Sequence, residues 1–306
     1  MRIVSLIASS TEIVWALGLG SSMVGRSHEC DYPEAVLSLP VCTSPKFNVD
    51  GRSYMIDERV RAILQESLSV YRVDSTLLNS LHPTHIITQS QCEVCAVSLK
   101  DVEAAACELM DSKPQIISLE PNSLADIYAD IERIGGALDL MPEAQKLSGR
   151  IKSEFELISK KSQSLKSRPR VALIEWIDPL MAAGNWMPEL LELAGAESLL
   201  GQAAKHSSVM LWKDLLDADP DFIIVSPCGF NMQSTLADMP LLTEKMGWHE
   251  LRAVKAGQVY IADGNQYFNR PGPRILESLQ ILSEILHPQA FHFGHEGKAW
   301  KKFSAN

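Results

Sequence analysis

Two thiols three positions apart, Cys92 and Cys95 in "TQSQCEVCAVS" (88–98), follow an apolar run, Leu81 to Ile87, that reads as a buried strand. Such a pair at a strand end has three chemistries open to it. As half of a zinc or iron site it needs two further ligands, and His28 and Cys30 in "HEC" stand on the loop after the neighbouring predicted strand. Against this, no second C-x-x-C is present, and His28-x-Cys30 is a tight spacing for one metal. As a redox dithiol the pair should open a helix, which "VSLKDVEAAACELM" (97–110) supports in part. As a pocket loop it needs only small side chains and inert thiols. Glu29, Glu93, Glu120 and Glu175 also fall at predicted strand ends, where convergence would permit acid–base work and separation would leave ordinary polar contacts or caps. His287, His292 and His295 lie in a C-terminal stretch that reads as a weakly ordered tail.

The elements that must position these residues repeat. "RIVSL…TEIVWALGLGSSMVG" (2–25) resembles "RVALI…PELLELAGAESLLG" (170–201): a β-branched strand, a loop, then a helix opened by Glu12 or Glu189 and stopped at Gly18 or Gly195. "LLNSLHPTHIIT" (77–88) resembles "DLLDADPDFIIV" (214–225), a helix closed by Pro83 or Pro220 before a central strand. Further strands are expected at 115–119 and 258–262. Alternating β and α elements imply parallel sheets with helices on both faces. Between the copies, Leu147, Ile151, Phe155 and Ile158 recur at helical spacing, predicting one unbroken helix over about 142–167, roughly 38 Å long.

Composition narrows the function. The 306 residues are 46% hydrophobic and 22% charged, enough for two lobes. A net charge of −10 without a basic stripe argues against nucleic acid. No apolar run is long enough for a transmembrane span, and "MRIVSLIASS" is too short for a signal h-region, so the expectation is a cytoplasmic protein with its six cysteines as free thiols. G-x-G-x-x-G after the first strand, G-K-[ST], H-E-x-x-H and G-x-S-x-G are all missing.

"RIVSLIASSTEIVWALGLGSSMVGRSHECDYP", "LHPTHIIT", the single bridging helix, "ADPDFIIVSP" and "YFNRPGPRILESLQIL" together resemble the class III solute-binding proteins of cobalamin and iron-chelate transporters, most of all the cobalamin-binding branch. The resemblance spans about residues 1–288 and implies two Rossmann-like lobes joined by a long helix, with the ligand in the cleft between them. The divisions are then 1–140 for the first lobe, 141–168 for the bridging helix, 169–290 for the second lobe and 291–306 for the tail. The resemblance carries over to Tyr32 in "DYP" and to Tyr267 and Phe268 before "NRPGPR". It also implies a permease partner docked through one glutamate from each lobe, but those positions hold Thr76 and Lys213, with Asp74 and Asp214 nearby.

Position alone adds other loop residues to the candidate ligand site. They are His28, Glu29, Gln91, Cys92, Trp176, Asn185, Trp186, Cys228, Phe230 and Arg270, with Cys30, Cys95, Glu120 and Asn122 beside them. Flat apolar walls with a few polar groups suit a macrocycle. The expectation is a non-catalytic α/β binding protein for cobalamin, a related corrinoid or tetrapyrrole, or another metal chelate. The alternative is an intracellular metal- or thiol-dependent enzyme or metal-handling protein using His28, Cys30, Cys92 and Cys95. Replacing Trp186 or Tyr267 by Ala is expected to cost ligand affinity and leave the fold intact.

Overall fold

The computed structural model describes residues 1–65, 70–90, 101–103 and 113–304. The chain divides into two compact units, one made mainly of residues 1–121 and 125–150, the other mainly of 151–306.

In the first unit the chain runs β1 (Ile3–Ser5), α1 (Ala8–Ala16), β2 (Met23–Arg26), β3 (Thr43–Pro45), α2 (Ser53–Gln65), β4 (Tyr71–Val73), α3 (Ser75–Ser80), β5 (His85–Gln89), β6 (Gln115–Leu119) and α4 (Leu124–Ala137). Four strands form a sheet in the order β2-β1-β5-β6, and every pairing in it is parallel. Its central strands are covered on both faces, which is why Ile3, Val4, Ile86 and Ile87 are fully buried and the sequence there is continuously apolar. β3 and β4 form a separate antiparallel pair.

α5 (Met141–Gln163) is one unbroken helix, with Leu147, Ile151, Phe155 and Ile158 all buried along one stripe. Each such side chain contributes on the order of 1.5–3 kcal/mol of apolar burial. The helix stops at Gln163, short of the 167–168 read from the sequence. Ser164 Oγ donates to the Lys161 carbonyl at 2.7 Å and the Leu165 N–H to the Ser162 carbonyl at 3.1 Å, a tightened last turn that ends the ladder before Pro169.

The second unit continues through β7 (Arg170–Trp176), β8 (Met181–Ala182), α6 (Met187–Leu193), β9 (Glu197–Leu199), β10 (Ser208–Val209), α7 (Trp212–Ala218), β11 (Phe222–Val225), α8 (Met232–Asp238), α9 (Pro240–Thr243), α10 (Arg252–Lys255), β12 (Val259–Ala262), α11 (Ile275–Leu286) and β13 (Trp300–Lys302). β9, β7, β11 and β12 lie side by side in parallel, the same order as β2-β1-β5-β6, so the repeat in the sequence is a repeat in topology. This sheet is not purely parallel. β8 runs antiparallel beside the end of β7, β10 beside β8, and β13 beside β12.

Local stops repeat too. His82 and Asp219, each directly before the helix-closing proline, take left-handed backbone with φ of 43° and 39°. Gly18 and Gly195 end α1 and α6 with φ of 84° and 79°, a conformation that costs glycine nothing. In the first copy the helix starts at Ala8, so Glu12 lies within it rather than opening it.

The C-terminal stretch is not a loose tail. Phe291, Ala299 and Trp300 are buried, and β13 completes the sheet edge. Glu284 on α11 makes the anchor: its carboxylate accepts from the Phe293, Gly294 and His295 backbone N–H groups and from Trp300 Nε1 at 2.9 Å. No helix among the described residues is long and apolar enough to cross a membrane.

Candidate functional site

In the first unit the residues with chemistry gather beyond β2. Arg26, its last residue, is buried and donates through Nη1 to the Ser27 and Cys30 carbonyls at 3.1 and 3.0 Å, which curls the Ser27–Cys30 loop around a guanidinium. His28 stands on that loop. Thr43 Oγ1 donates its proton to Ser27 Oγ at 3.0 Å and lies 2.8 Å from His28 Nδ1, so Nδ1 carries the hydrogen of this contact. Nε2 then keeps its lone pair and has no hydrogen-bond partner among the described residues. Burial, reinforced by the Arg26 charge, pushes the imidazole pKa down to about 4. The ring is therefore neutral at ordinary pH. Tyr71 packs against it at 5.1 Å between centroids and donates its hydroxyl to Glu29 Oε1 at 3.1 Å.

Cys30 does not join His28. It is fully buried, its sulfur accepts from Thr11 Oγ1 at 3.0 Å and lies 3.8 Å from the Ser5 carbonyl, and the thiol is part of the first unit's core. Tyr32 is exposed. Gln91, Cys92 and Cys95 lie outside the described residues, and with them the "CEVC" readings. Among the described residues no three of His, Cys, Asp and Glu come together as a metal set. Beyond β5 and β6, Ser118 Oγ donates to Ser90 Oγ at 2.9 Å and Ser90 Oγ to Glu120 Oε1 at 2.6 Å. Below this row Asp130 is buried beside Arg133, and desolvation outweighs that cation and pushes the carboxyl up to about 7.

The same unit has an open groove of about 540 Å³ lined by residues such as Ile116, Ser118, Arg133 and Met141. None of its lining residues is aromatic, and it includes none of the residues singled out by the sequence.

In the second unit the residues with chemistry gather at the end of β7, the counterpart of β1. Glu175 Oε2 accepts from Ser207 Oγ at 2.6 Å, and Ser207 Oγ accepts from the Gly184 N–H at 2.9 Å. A Cβ on Gly184 would come within 2.2 Å of the Lys205 carbonyl, so only glycine allows the two loop segments to meet. Their contact continues through the Asn185 N–H to the Lys205 carbonyl at 2.6 Å and holds Asn185 in left-handed backbone at φ 51°. Burial raises the Glu175 carboxyl pKa, opposed by the Ser207 and Gly184 hydrogen bonds.

Trp176 is half-buried and meets Phe230 edge-on at 5.4 Å, while Cys228 is half-buried and donates its N–H to the Glu175 carbonyl at 3.1 Å. Trp186 and Phe268 are scaffold: they are 5% and 1% exposed, and the indole N–H donates to the Phe268 carbonyl at 3.2 Å. Arg270 is buried and donates to Asn265 Oδ1 at 3.2 Å. Tyr267, by contrast, is half-buried between the Arg274 guanidinium, 5.3 Å from its ring, and the His295 ring at 6.3 Å.

Several partners of these side chains come from distant segments. Thr43 and Tyr71, which set the state of His28, belong to the β3–β4 pair, and Ser207 reaches Glu175 from 32 residues away. No local pattern marks either contact.

Comparison with known proteins places this geometry in a family. A model of the family described as periplasmic binding protein matches residues 3–265. The uncharacterized ABC transporter substrate-binding lipoprotein YvrC of Bacillus subtilis (strain 168) is 25% identical over 297 residues, covering 95% of this chain and 81% of the relative. A vitamin B12-binding protein of Vibrio vulnificus is 24% identical over 287 residues, covering 92% and 89%. The crystal structure of a periplasmic heme binding protein from Pseudomonas aeruginosa superposes with a TM-score of 0.74 at 18% identity, covering 100% of this chain and 98% of that one. With the repeated sheet, the unbroken helix and a family match over most of its length, the chain belongs to the periplasmic binding protein family.

Proposed function

We propose that the chain binds cobalamin, a related corrinoid or tetrapyrrole, or another metal chelate at the loops leaving the carboxyl ends of its strands. The observation that carries this reading is His28: a neutral imidazole on a loop beyond β2, with Nδ1 engaged by Thr43 and a lone pair on Nε2. That is the state in which histidine ligates a chelated metal. Within the second unit, half-buried Trp176, held edge-on by the buried Phe230, and half-buried Tyr267 supply aromatic surface of the kind a flat macrocycle stacks on. The vitamin B12-binding and heme-binding relatives are similar over nine-tenths of the chain or more, which supports this ligand class without choosing within it.

Visible absorption tests the reading. Adding aquocobalamin or haemin to the purified chain is expected to give a saturable spectral change that His28→Ala abolishes, with weaker binding remaining. Because the ring stays neutral down to about pH 4, the change should persist at pH 5.5, where an ordinary histidine is mostly protonated. A spectral change that is the same in His28→Ala and the parent chain would remove His28 from the site.

A transporter partner follows from the family, but the resemblance's two acidic docking positions hold Thr76 on α3 and Lys213 on α7, and Lys213 is paired with Asp217. Asp74 accepts from the Leu77 N–H at 2.9 Å and Asp214 from the Leu211 N–H at 2.8 Å, each holding the start of a helix. Paired glutamate docking is therefore not part of this proposal. We further propose a cytoplasmic location; recovery in a membrane or periplasmic fraction would contradict it.

A further inference from the structure

The C-terminal segment beyond α11 lies past the family match, which ends at residue 265, yet it is tightly built. Three consecutive backbone N–H groups, those of Phe293, Gly294 and His295, point at one buried carboxylate, Glu284, which also takes the Trp300 indole N–H. Phe291 and Trp300, both buried, supply the apolar anchorage. The Phe293 side chain takes part in neither task, and the residue remains 40% exposed.

The rings of this segment form a continuous row. Phe291 stacks on Phe293 at 5.8 Å, Phe293 lies 6.5 Å from His295, and His295 meets Tyr267 edge-on at 6.3 Å. His295 is also held by Gln280, 2.9 Å from Nε2. A buried carboxylate thus fixes the backbone of a loop whose aromatic side chains stay partly open, beside the aromatic residue already assigned to the ligand site. Rigid backbone under an exposed aromatic is a preorganised contact surface, because little side-chain freedom is left to lose on binding.

We propose that Phe293 and His295 extend the Tyr267 wall and contact the flat conjugated ring of the bound chelate, so that the C-terminal segment is part of the ligand site. This rests on the function proposed above and narrows its ligand to a planar macrocycle, which this segment touches through its face or edge.

The test is titration of the full chain with hydroxocobalamin and haemin, in parallel for the parent, Phe293→Ala, Phe293→Tyr and His295→Ala. Phe293→Ala is expected to weaken binding by about tenfold, the scale of one lost aromatic contact, with thermal stability unchanged. Phe293→Tyr should restore affinity. Parent binding that is unaltered in both Phe293→Ala and His295→Ala would overturn the extension alone. A loss that Phe293→Tyr fails to restore, accompanied by a lower melting temperature, would overturn it by assigning Phe293 to structure. A parent chain that binds neither ligand would overturn the extension and remove corrinoids and haem from the functional reading beneath it.

Discussion

His28 and Asp130 carry proton linkages of opposite sign. Below its unfolded value of 6.5, His28 gains a proton in the unfolded chain but not in the fold until about pH 4, so the unfolded state binds more protons and stability falls as pH drops through that window. Asp130 keeps its proton in the fold up to about pH 7 while the unfolded chain releases it above 3.8, so its contribution is lost as pH rises. Between pH 4 and 6.5 the two oppose each other. Replacing His28 by Gln should leave the Asp130 slope exposed, with stability rising toward pH 4.5 relative to the parent by about 1–3 kcal/mol once solvent screening is discounted. Denaturant unfolding of both chains between pH 4.5 and 7.5 measures it, and parallel profiles would contradict the assignment. Trp186 makes a different residue-scale prediction. Buried and bonded to the Phe268 carbonyl, it should cost about 3–5 kcal/mol as Trp186→Ala, a fold defect where the sequence suggested a lost ligand wall. Unfolding midpoints equal to the parent's would contradict its core role.

At the scale of elements, what the sequence made legible was whatever has a period or a hard stop. The parallel central strands announced themselves as continuous β-branched runs, α3 and α7 by the prolines that follow them, and α5 by its 4-4-3 apolar stripe. The two- and three-residue strands β8, β10 and β13 are too short to show alternation, and they exist because of partners brought to them by the sheet. β13 and its anchor show why the C-terminal segment reads as a loose tail in the sequence: its order depends on Glu284, one ordinary-looking acid on an amphipathic helix. Removing that acceptor leaves three backbone donors and an indole N–H unpaired. Glu284→Ala is expected to destabilise the second unit by about 2–5 kcal/mol and to speed amide exchange at residues 293–300 first. Exchange there as slow as in the parent would show that the segment is held by something else.

For the whole molecule, family and fold rest on independent supports, the match over residues 3–265 and the repeated strand order in two units. The proposed ligand class rests on a neutral His28, aromatic surface around Trp176 and Tyr267, and relatives whose names include vitamin B12 and heme. The candidate site was half legible in the sequence, because loop positions follow from strand ends, whereas the partners that tune them come from distant segments such as Thr43 for His28 and Ser207 for Glu175. The most direct test of the central claim is calorimetric titration of the full chain with hydroxocobalamin, haemin and a ferric hydroxamate side by side. The account predicts saturable binding of at least one of them at a single site per chain, in the micromolar range or tighter, corresponding to about −8 kcal/mol or more negative. Heats indistinguishable from dilution for all three would contradict it.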